Sequence, residues 1–344
     1  MFMPETRDRI VPGVGPTTAK IALIGDFTDN YDRNALKPFQ GPAGGVLEAC
    51  LHAAGLIRGE LYLTNTIKTA PKQRPKAKNF GGSNWEFFDD KKQRFTELGM
   101  VHVEALRDEI NNIDANVLIA AGPAAFAALS GIARGWKFRG YLMESAGLAG
   151  VRKVIPTASP ASTLRGNYIH RHLIVADIKK AKVESLFPEF RRPQRQLVYR
   201  YDSVEEVLQW LEFYETQNIV ATDIEVINFE ISCISFASSP DVAVVVPIAD
   251  RWTELEELQI WRAIQRVLGN EKSRKVLQNC IFDIQFMLTR NGIVLKGEID
   301  DTMIAHSVMF PELPKGLGFL GSLHCGAQSY WKDTVKFNNI KEES

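Results

Sequence analysis

Residues 221–226 read ATDIEV and set two carboxylates, Asp223 and Glu225, on either side of an isoleucine at the end of an apolar run. Side chains alternate along a strand, so both acids face one side while Ile224 packs behind them. Such a pair suits a divalent metal ion; two acids also suit a strand that simply ends at a polar loop. Asp283, in VLQNCIFDIQF, is the third candidate, because an acid among Val, Leu, Cys, Ile and Phe is costly to hide without a cation or hydrogen-bond partners. Its plainer role is that of a helix-start residue. Asn279 suits either a ligand-orienting group or, more simply, the cap of the same helix.

A second set of candidates is basic. Lys68, Lys72, Arg74, Lys76 and Lys78 lie in a Lys-, Pro- and Gly-rich stretch that reads as an exposed loop. Its charges suit salt-sensitive contact with DNA phosphate, or plain solvation. Trp85, Phe87 and Phe88 of NWEFFDD suit base stacking or local packing, and RRPQR (191–195) a phosphate patch or an exposed linker.

The elements that position these residues follow from periodicity. AKIALIG, LYLTN, ANVLIAAG and VRKVIPT read as strands alternating with helices, which predicts a layered α/β domain in the first half. In the second half NIVATDIEV, ISCISFA and VAVVVPI read as three adjoining strands. SRKVLQN then leads as a strand into a helix over FDIQFMLTRNG, and IDDTMIAHSVMF reads as a helix with Asp300 and Asp301 at its start, where carboxylates suit the free backbone donors. With 344 residues, 45% of them hydrophobic, two domains are expected. The boundary falls in FPEFRRPQRQL, giving a first domain over 1–186, a linker over 187–197 and a second domain over 198–344.

Lys plus Arg and Asp plus Glu each total 41, so no net field steers the chain toward DNA or a membrane, although local basic surfaces remain open. Cys50, Cys233, Cys280 and Cys325 are far apart and read as reduced thiols of a cytoplasmic protein. No apolar stretch approaches membrane-span length, and the amino terminus lacks a signal-peptide core.

ATDIEV, QNCIFDIQF and DDTMIAHSVMFPELPKGLGFLGSL, in that order, resemble the proofreading 3′-5′ exonuclease domain of family A DNA polymerases, particularly viral ones. The resemblance covers about residues 198–340 and implies a ribonuclease H-like fold. It implies that acids hold two Mg2+ or Mn2+ ions, with Asp223 bridging both, Glu225 serving the nucleophile side and Asp283 supporting the other ion. Asp301 matches an aspartate that is not carried over as a ligand. Tyr330 and Asp333 of SYWKD are not read as the family's final tyrosine and aspartate, Tyr330 and Trp331 reading as packing beneath a loop, so that motif is expected from a later segment or a partner polypeptide.

GDFTDNYDRNALKPFQGPAGGVLEACLHAAGL, LYLTNTIKTAPKQR, VLIAAGPAAFAAL and VIPTASPASTLR resemble the uracil-DNA glycosylase superfamily over about residues 18–180, most nearly members with an iron-sulfur cluster. The resemblance implies a three-layer α/β/α domain with a base pocket. Phe39 would supply its aromatic face and Asn65 its edge reader, with Asp26 in place of the family's acid. Phe39 as a turn anchor and Asn65 as a strand end are the plain alternatives. Phe27 and Asp29 depart from the family's small and glycine residues, and Ser159 stands where the family has the histidine that stabilises a departing uracil anion. Cys50 has no neighbouring thiols, so no iron-sulfur cluster is expected.

Together these readings predict two α/β domains and a metal-dependent 3′-5′ exonuclease of a viral (bacteriophage) DNA polymerase system, sited in the host cytoplasm. Its partners would be DNA, as a single-stranded 3′ end or primer-template, and a separate family A polymerase fragment, with no membrane. A noncatalytic DNA-binding or polymerase-interaction protein is the alternative, and an active uracil-DNA glycosylase a third.

Overall fold

The computed structural model describes residues 10–69, 86–89, 91–133, 135–191, 195–249 and 251–326. Those up to Phe190 and from Gly318 onward cluster into one unit, and Arg191–Leu317 into a second.

The first unit runs β1 (Ile21–Phe27), α1 (Asn30–Ala35), α2 (Pro42–Ala53), β2 (Tyr62–Ile67), β3 (Phe88–Asp89), β4 (Arg94–Phe95), α3 (Glu97–Asn111), β5 (Val117–Ala121), α4 (Pro123–Ser130), β6 (Met143–Glu144), β7 (Lys153–Thr157), α5 (Pro160–Thr163) and α6 (His170–Glu184). Its main sheet has the order β2-β1-β5-β7-β6, parallel except for β6 at the edge. Alternate strand residues serve different layers. Leu23, Ile119 and Ile155 share a core with Leu47 and Leu51 of α2 and Ile174 and Ile178 of α6. Ile24, Leu118 and Val154 share another with Val103 and Leu106 of α3 and Phe126 and Leu129 of α4. Burial on both faces explains why these strands read as unbroken apolar runs.

From β1 the chain crosses one way to β2 and then the other way to β5, so a crevice opens at the carboxyl ends of β1 and β5. Gly122 ends β5 at a φ of +125°, and a Cβ there would lie 2.0 Å from Asp26 Oδ2. Gly44 in α2 lets the helix pass over the Phe39 carbonyl, which a Cβ would approach to 1.9 Å.

The second unit contains β8 (Gln196–Val198), α7 (Val204–Glu215), β9 (Ile219–Ile227), β10 (Glu230–Ala237), β11 (Val242–Pro247), α8 (Glu254–Gly269), β12 (Arg274–Leu277), α9 (Cys280–Asn291), β13 (Ile299–Asp301) and α10 (Thr302–Met309). The sheet order is β13-β12-β9-β10-β11-β8. β9, β10 and β11 form an antiparallel meander, with β12 parallel to β9 and β13 parallel to β12. α7 and α8 bury Leu211, Tyr214, Ile260 and Ile264 with Val220, Ile234, Phe236 and Val244 of the sheet. The two units are thus a three-layer α/β/α domain and a ribonuclease H-like α/β domain. Among the described residues no helix is long and apolar enough to cross a membrane.

Two segments sit differently from their sequence assignment. Gln196 and Leu197, read as linker, belong to β8, which pairs in parallel with the free edge of β11. The final helix α11 (Leu317–His324), read with the second domain, clusters from Gly318 with the first unit. There Tyr141 donates to the Gly318 carbonyl, Arg139 to Ser322 Oγ and Lys180 to the Ser322 carbonyl. The Arg139 guanidinium also lies 4.9 Å from the Phe319 ring. The Lys180 bond satisfies one of the carbonyls that the last turn of a helix leaves open.

Gly122→Ala is expected to cost at least about 2 kcal/mol through its left-handed backbone and its collision with Asp26. Chemical denaturation followed by tryptophan fluorescence measures this, and an unchanged midpoint contradicts it.

Candidate functional site

β12 pairs with β9 only as far as Ala221, because the chain leaves the sheet after Leu277 and turns into α9. Beyond that point the Ile224 N–H donates instead to Asp283 Oδ1, at 3.2 Å, from the first turn of α9. Asp283 is 4% exposed. Asp223 and Glu225 occupy the open face of β9, opposite Ser235 and Cys233 of β10, while Ile224 turns into the core.

The charges of these acids oppose one another. Desolvation pushes the Asp283 carboxyl up to about 6; the Ile224 bond resists this and the negative charge of Asp223 adds to it. Asp223 is itself raised, by desolvation and then by Glu225. Two linked repulsions therefore run along the site, Glu225 against Asp223 and Asp223 against Asp283. A cation relieves both. Among the described residues no three His, Cys, Asp or Glu side chains close into a ready-made metal cage. An ion that keeps several waters and takes one or two carboxylates, as Mg2+ does, fits this donor set.

Asp301 behaves differently. Its Oδ1 accepts from Asn279, Met303 and Ile304 N–H and its Oδ2 from Cys280 N–H at 2.7 Å, so one carboxylate caps both α9 and α10. Burial works against the charged form, but these donors hold the carboxyl below its ordinary value. The cap that the sequence offers to Asn279 is therefore supplied by Asp301. Asn279 makes no side-chain cap and takes a left-handed φ of 61°.

In the first unit a cavity of about 710 Å³ opens at the strand ends, lined by Asp26, Phe39, Asn65 and Ser159 among others. Asp26 Oδ1 accepts from Ala124 and Ala125 N–H at 2.8 and 3.0 Å, fixing the start of α4. Asn65 Nδ2 donates to Asp32 Oδ2 at 2.9 Å, and Asp32 Oδ1 accepts from Gln40 N–H at 2.7 Å. Asp32 is 3% exposed, and its carboxyl is raised by burial. Sequence reasoning missed Asp32; its place in α1, seven residues before Phe39, was the available signal. Sequence reasoning also missed His170, Trp136 and Ser162, which line the same cavity.

Lys68, expected at phosphate, is 5% exposed and ion-paired with Glu109, and it also donates to Thr64. The desolvation of the buried ammonium is offset by that pair, so Lys68 serves the core rather than DNA. Phe88 is fully buried against Phe27 and Phe95, and Phe87 packs edge-on to His102, so both belong to local packing. Lys72, Arg74, Lys76, Lys78, Trp85, Tyr330 and Asp333 lie outside the described residues, as do positions 192–194 of RRPQR. All four cysteines are free.

Comparison with known proteins finds two families along the chain. Residues 12–179 match the family model of the uracil DNA glycosylase superfamily, and residues 199–336 that of a 3′-5′ exonuclease. The chain thus carries an amino-terminal domain of the first family followed by a domain of the second. It is 26% identical over 179 residues to the type-4 uracil-DNA glycosylase of Thermotoga maritima, covering 51% of this chain and 83% of that protein. It is 36% identical over 67 residues to the type-4 enzyme of Archaeoglobus fulgidus, covering 20% of this chain and 34% of the relative, about a third of its length. A solved EXD2 exonuclease domain soaked in Mg and dGMP aligns at 18% identity with a TM-score of 0.27, over 43% of this chain and 84% of that one.

Because the folded pKa of Asp283 lies above the free-carboxyl value of 3.8, its contribution to stability is fully present below about pH 4 and is lost as pH rises through about 6. Asp283→Asn keeps an acceptor for Ile224 and removes the repulsion. In metal-free buffer it is expected to melt above the wild type at pH 7.5, with the difference closing near pH 4; a parallel offset at both pH values contradicts this. Asp301→Ala, which strips four backbone donors, is expected to cost about 2–4 kcal/mol in urea denaturation.

Proposed function

We propose that the second domain is a metal-dependent 3′-5′ exonuclease acting on DNA ends, as the proofreading portion of a viral DNA polymerase system. The observation that carries this reading is the alignment of Asp223 and Glu225 on one strand face, with Asp283 brought beside Asp223 by its bond to Ile224. Asp223, with Glu225 and Asp283, would hold Mg2+ or Mn2+. When bound, such ions supply Lewis-acid stabilisation of charge on the phosphate and leaving oxygens and lower the pKa of a water.

The residues of the chain supply the rest. Asp283 Oδ1 accepts from the Ile224 N–H, which ties its carboxylate to β9. The pairing of β9 with β10 keeps the backbone extended from Asp223 to Glu225 and so holds both acids on one strand face. Positioning of this kind lowers the entropic part of the barrier, because the donors need not be gathered at the moment of reaction. The preferred substrate is a single-stranded 3′ end, presented alone or by a primer-template, and a family A polymerase fragment is the proposed partner.

A second reading has its own observation. The acids do not close into a cage among the described residues, which suits a noncatalytic DNA-binding or polymerase-interaction role. The first domain departs from the glycosylase pattern at Ser159, so uracil excision ranks behind both.

A 5′-labelled single-stranded oligonucleotide with Mg2+ or Mn2+ tests the proposal, with and without the polymerase fragment. The wild type is expected to shorten it from the 3′ end, and Asp223→Asn to reduce the rate on the order of 10²-fold or more. Mg2+ is expected to raise the melting temperature of the wild type but not of Asp223→Asn. DNA binding without shortening, even with the fragment present, favours the noncatalytic role.

A further inference from the structure

The surface helices of the second unit are of two kinds. α7 exposes Glu205, Glu206 and Glu212, and α8 exposes Glu254, Arg262 and Arg266, as helices facing water do. α9 instead exposes Ile281, Gln285 and Leu288 at the spacing of one helical face, with Phe282 and Thr289 beside them. The exposed cation of α9, Arg290, lies nine positions past Ile281 and so half a turn round from that face. α10 exposes Ile304, Ala305, Val308 and Met309. Neither of these two faces carries a charge.

The open apolar area is large. Ile281, Phe282, Leu288, Ile304, Val308 and Met309 are each 50–79% exposed. At roughly 200 Å² for a fully open residue of this size, they turn on the order of 700 Å² to water. The largest apolar patch of a typical monomer is about 300–600 Å². Each partner in a standard protein interface gives about 800 Å². The two helices also start from one point, because the Asp301 carboxylate accepts from Cys280 N–H on α9 and from Met303 and Ile304 N–H on α10. Ile281, Phe282 and Ile304, in the first turns, are therefore gathered round a shared cap.

We propose that the outward face of α9 and α10 is a self-association surface, on which a second copy of the chain docks the same face about a two-fold axis. Such a contact sets a patch against itself, so a charge on it would meet its like. A face without charge avoids that repulsion. A nucleic acid strand or a strongly basic or acidic protein, by contrast, finds no counter-charge there. Ile281 with Gln285, and Ile304 with Val308, are ridges of side chains four apart, the form that interlocks when helix packs on helix. Asp283 belongs to the first turn of α9, so the contact adjoins the acid cluster without using it.

The test is sedimentation equilibrium of the full chain, free of metal and DNA. A dimer with a Kd of about 10 µM or tighter is expected for an interface of this size. Leu288→Lys and Val308→Lys each put a cation near the end of a helix, where the fold tolerates it, and two like charges into the contact. Each is expected to weaken the dimer at least about 10-fold. Leu258→Lys, on the exposed side of α8, is expected to leave it within about 2-fold. If a lysine variant does not fold, Val308→Gln, at the most open position of the face, is expected to weaken the dimer by about 3-fold or more. A monomer at about 100 µM, or a dimer indifferent to Leu288→Lys and Val308→Lys, overturns the proposal. So does a chain monomeric by itself whose α9 and α10 amides become protected from hydrogen exchange only when the polymerase fragment is added, which assigns the face to that partner. None of these readouts involves cleavage of DNA, so the outcome is separate from that of the exonuclease reading.

Discussion

Backbone N–H groups left over where parallel strands end and helices begin govern where the carboxylates of this protein go. A donor buried without a partner is costly, and a helix start presents several at once. Asp26 answers this demand at the start of α4, and Asp301 at the starts of α9 and α10. Asp283 answers it for a single strand amide where β12 has stopped pairing with β9. The same physical need therefore recruits acids to both crevices.

What separates a structural acid from a chemical one is how completely that need uses it. Asp301 takes four backbone donors and is stabilised as an anion. Asp283 takes one donor from β9, the Ile224 N–H, and faces Asp223, so its charge is held in place without being neutralised. Only the second arrangement leaves a demand for an outside cation. In the first crevice Asp32 is likewise spent on an interior task, orienting the Asn65 amide.

Buried basic groups show the same economy. Arg139 pairs with Asp177 at 2.8 Å, and desolvation still raises the Asp177 carboxyl despite that partner. Lys153 gathers the carbonyls of Glu184 and Phe187, and Lys275 those of Ser273 and Lys296. Lysines of this kind fasten chain segments, because three rotatable N–H donors collect several acceptors at once. Lys68 belongs with them, which is why a charge that reads as surface in a basic stretch lies in the core.

The period-two pattern of ATDIEV, the uniformly apolar strands of the first half and the presence of α9 and α10 were legible, because alternation and helical periodicity are local; that Ile299–Asp301, read as the start of a helix, forms strand β13 was not, because its partner β12 lies elsewhere in the chain. The two α/β domains followed from them. The partners of each acid were not legible: Asp283 and Asp301 differ only in which amides reach them, and those amides are brought by β9, α9 and α10 from distant positions. The Asn65–Asp32 bond and the entry of His170 beside Ser162 depend in the same way on strand order and on the packing of α6. Composition and spacing determined which residues are able to carry charge or ligate. Tertiary structure decided which of those groups are saturated and which remain open, because desolvation and hydrogen bonding act between residues far apart in the chain.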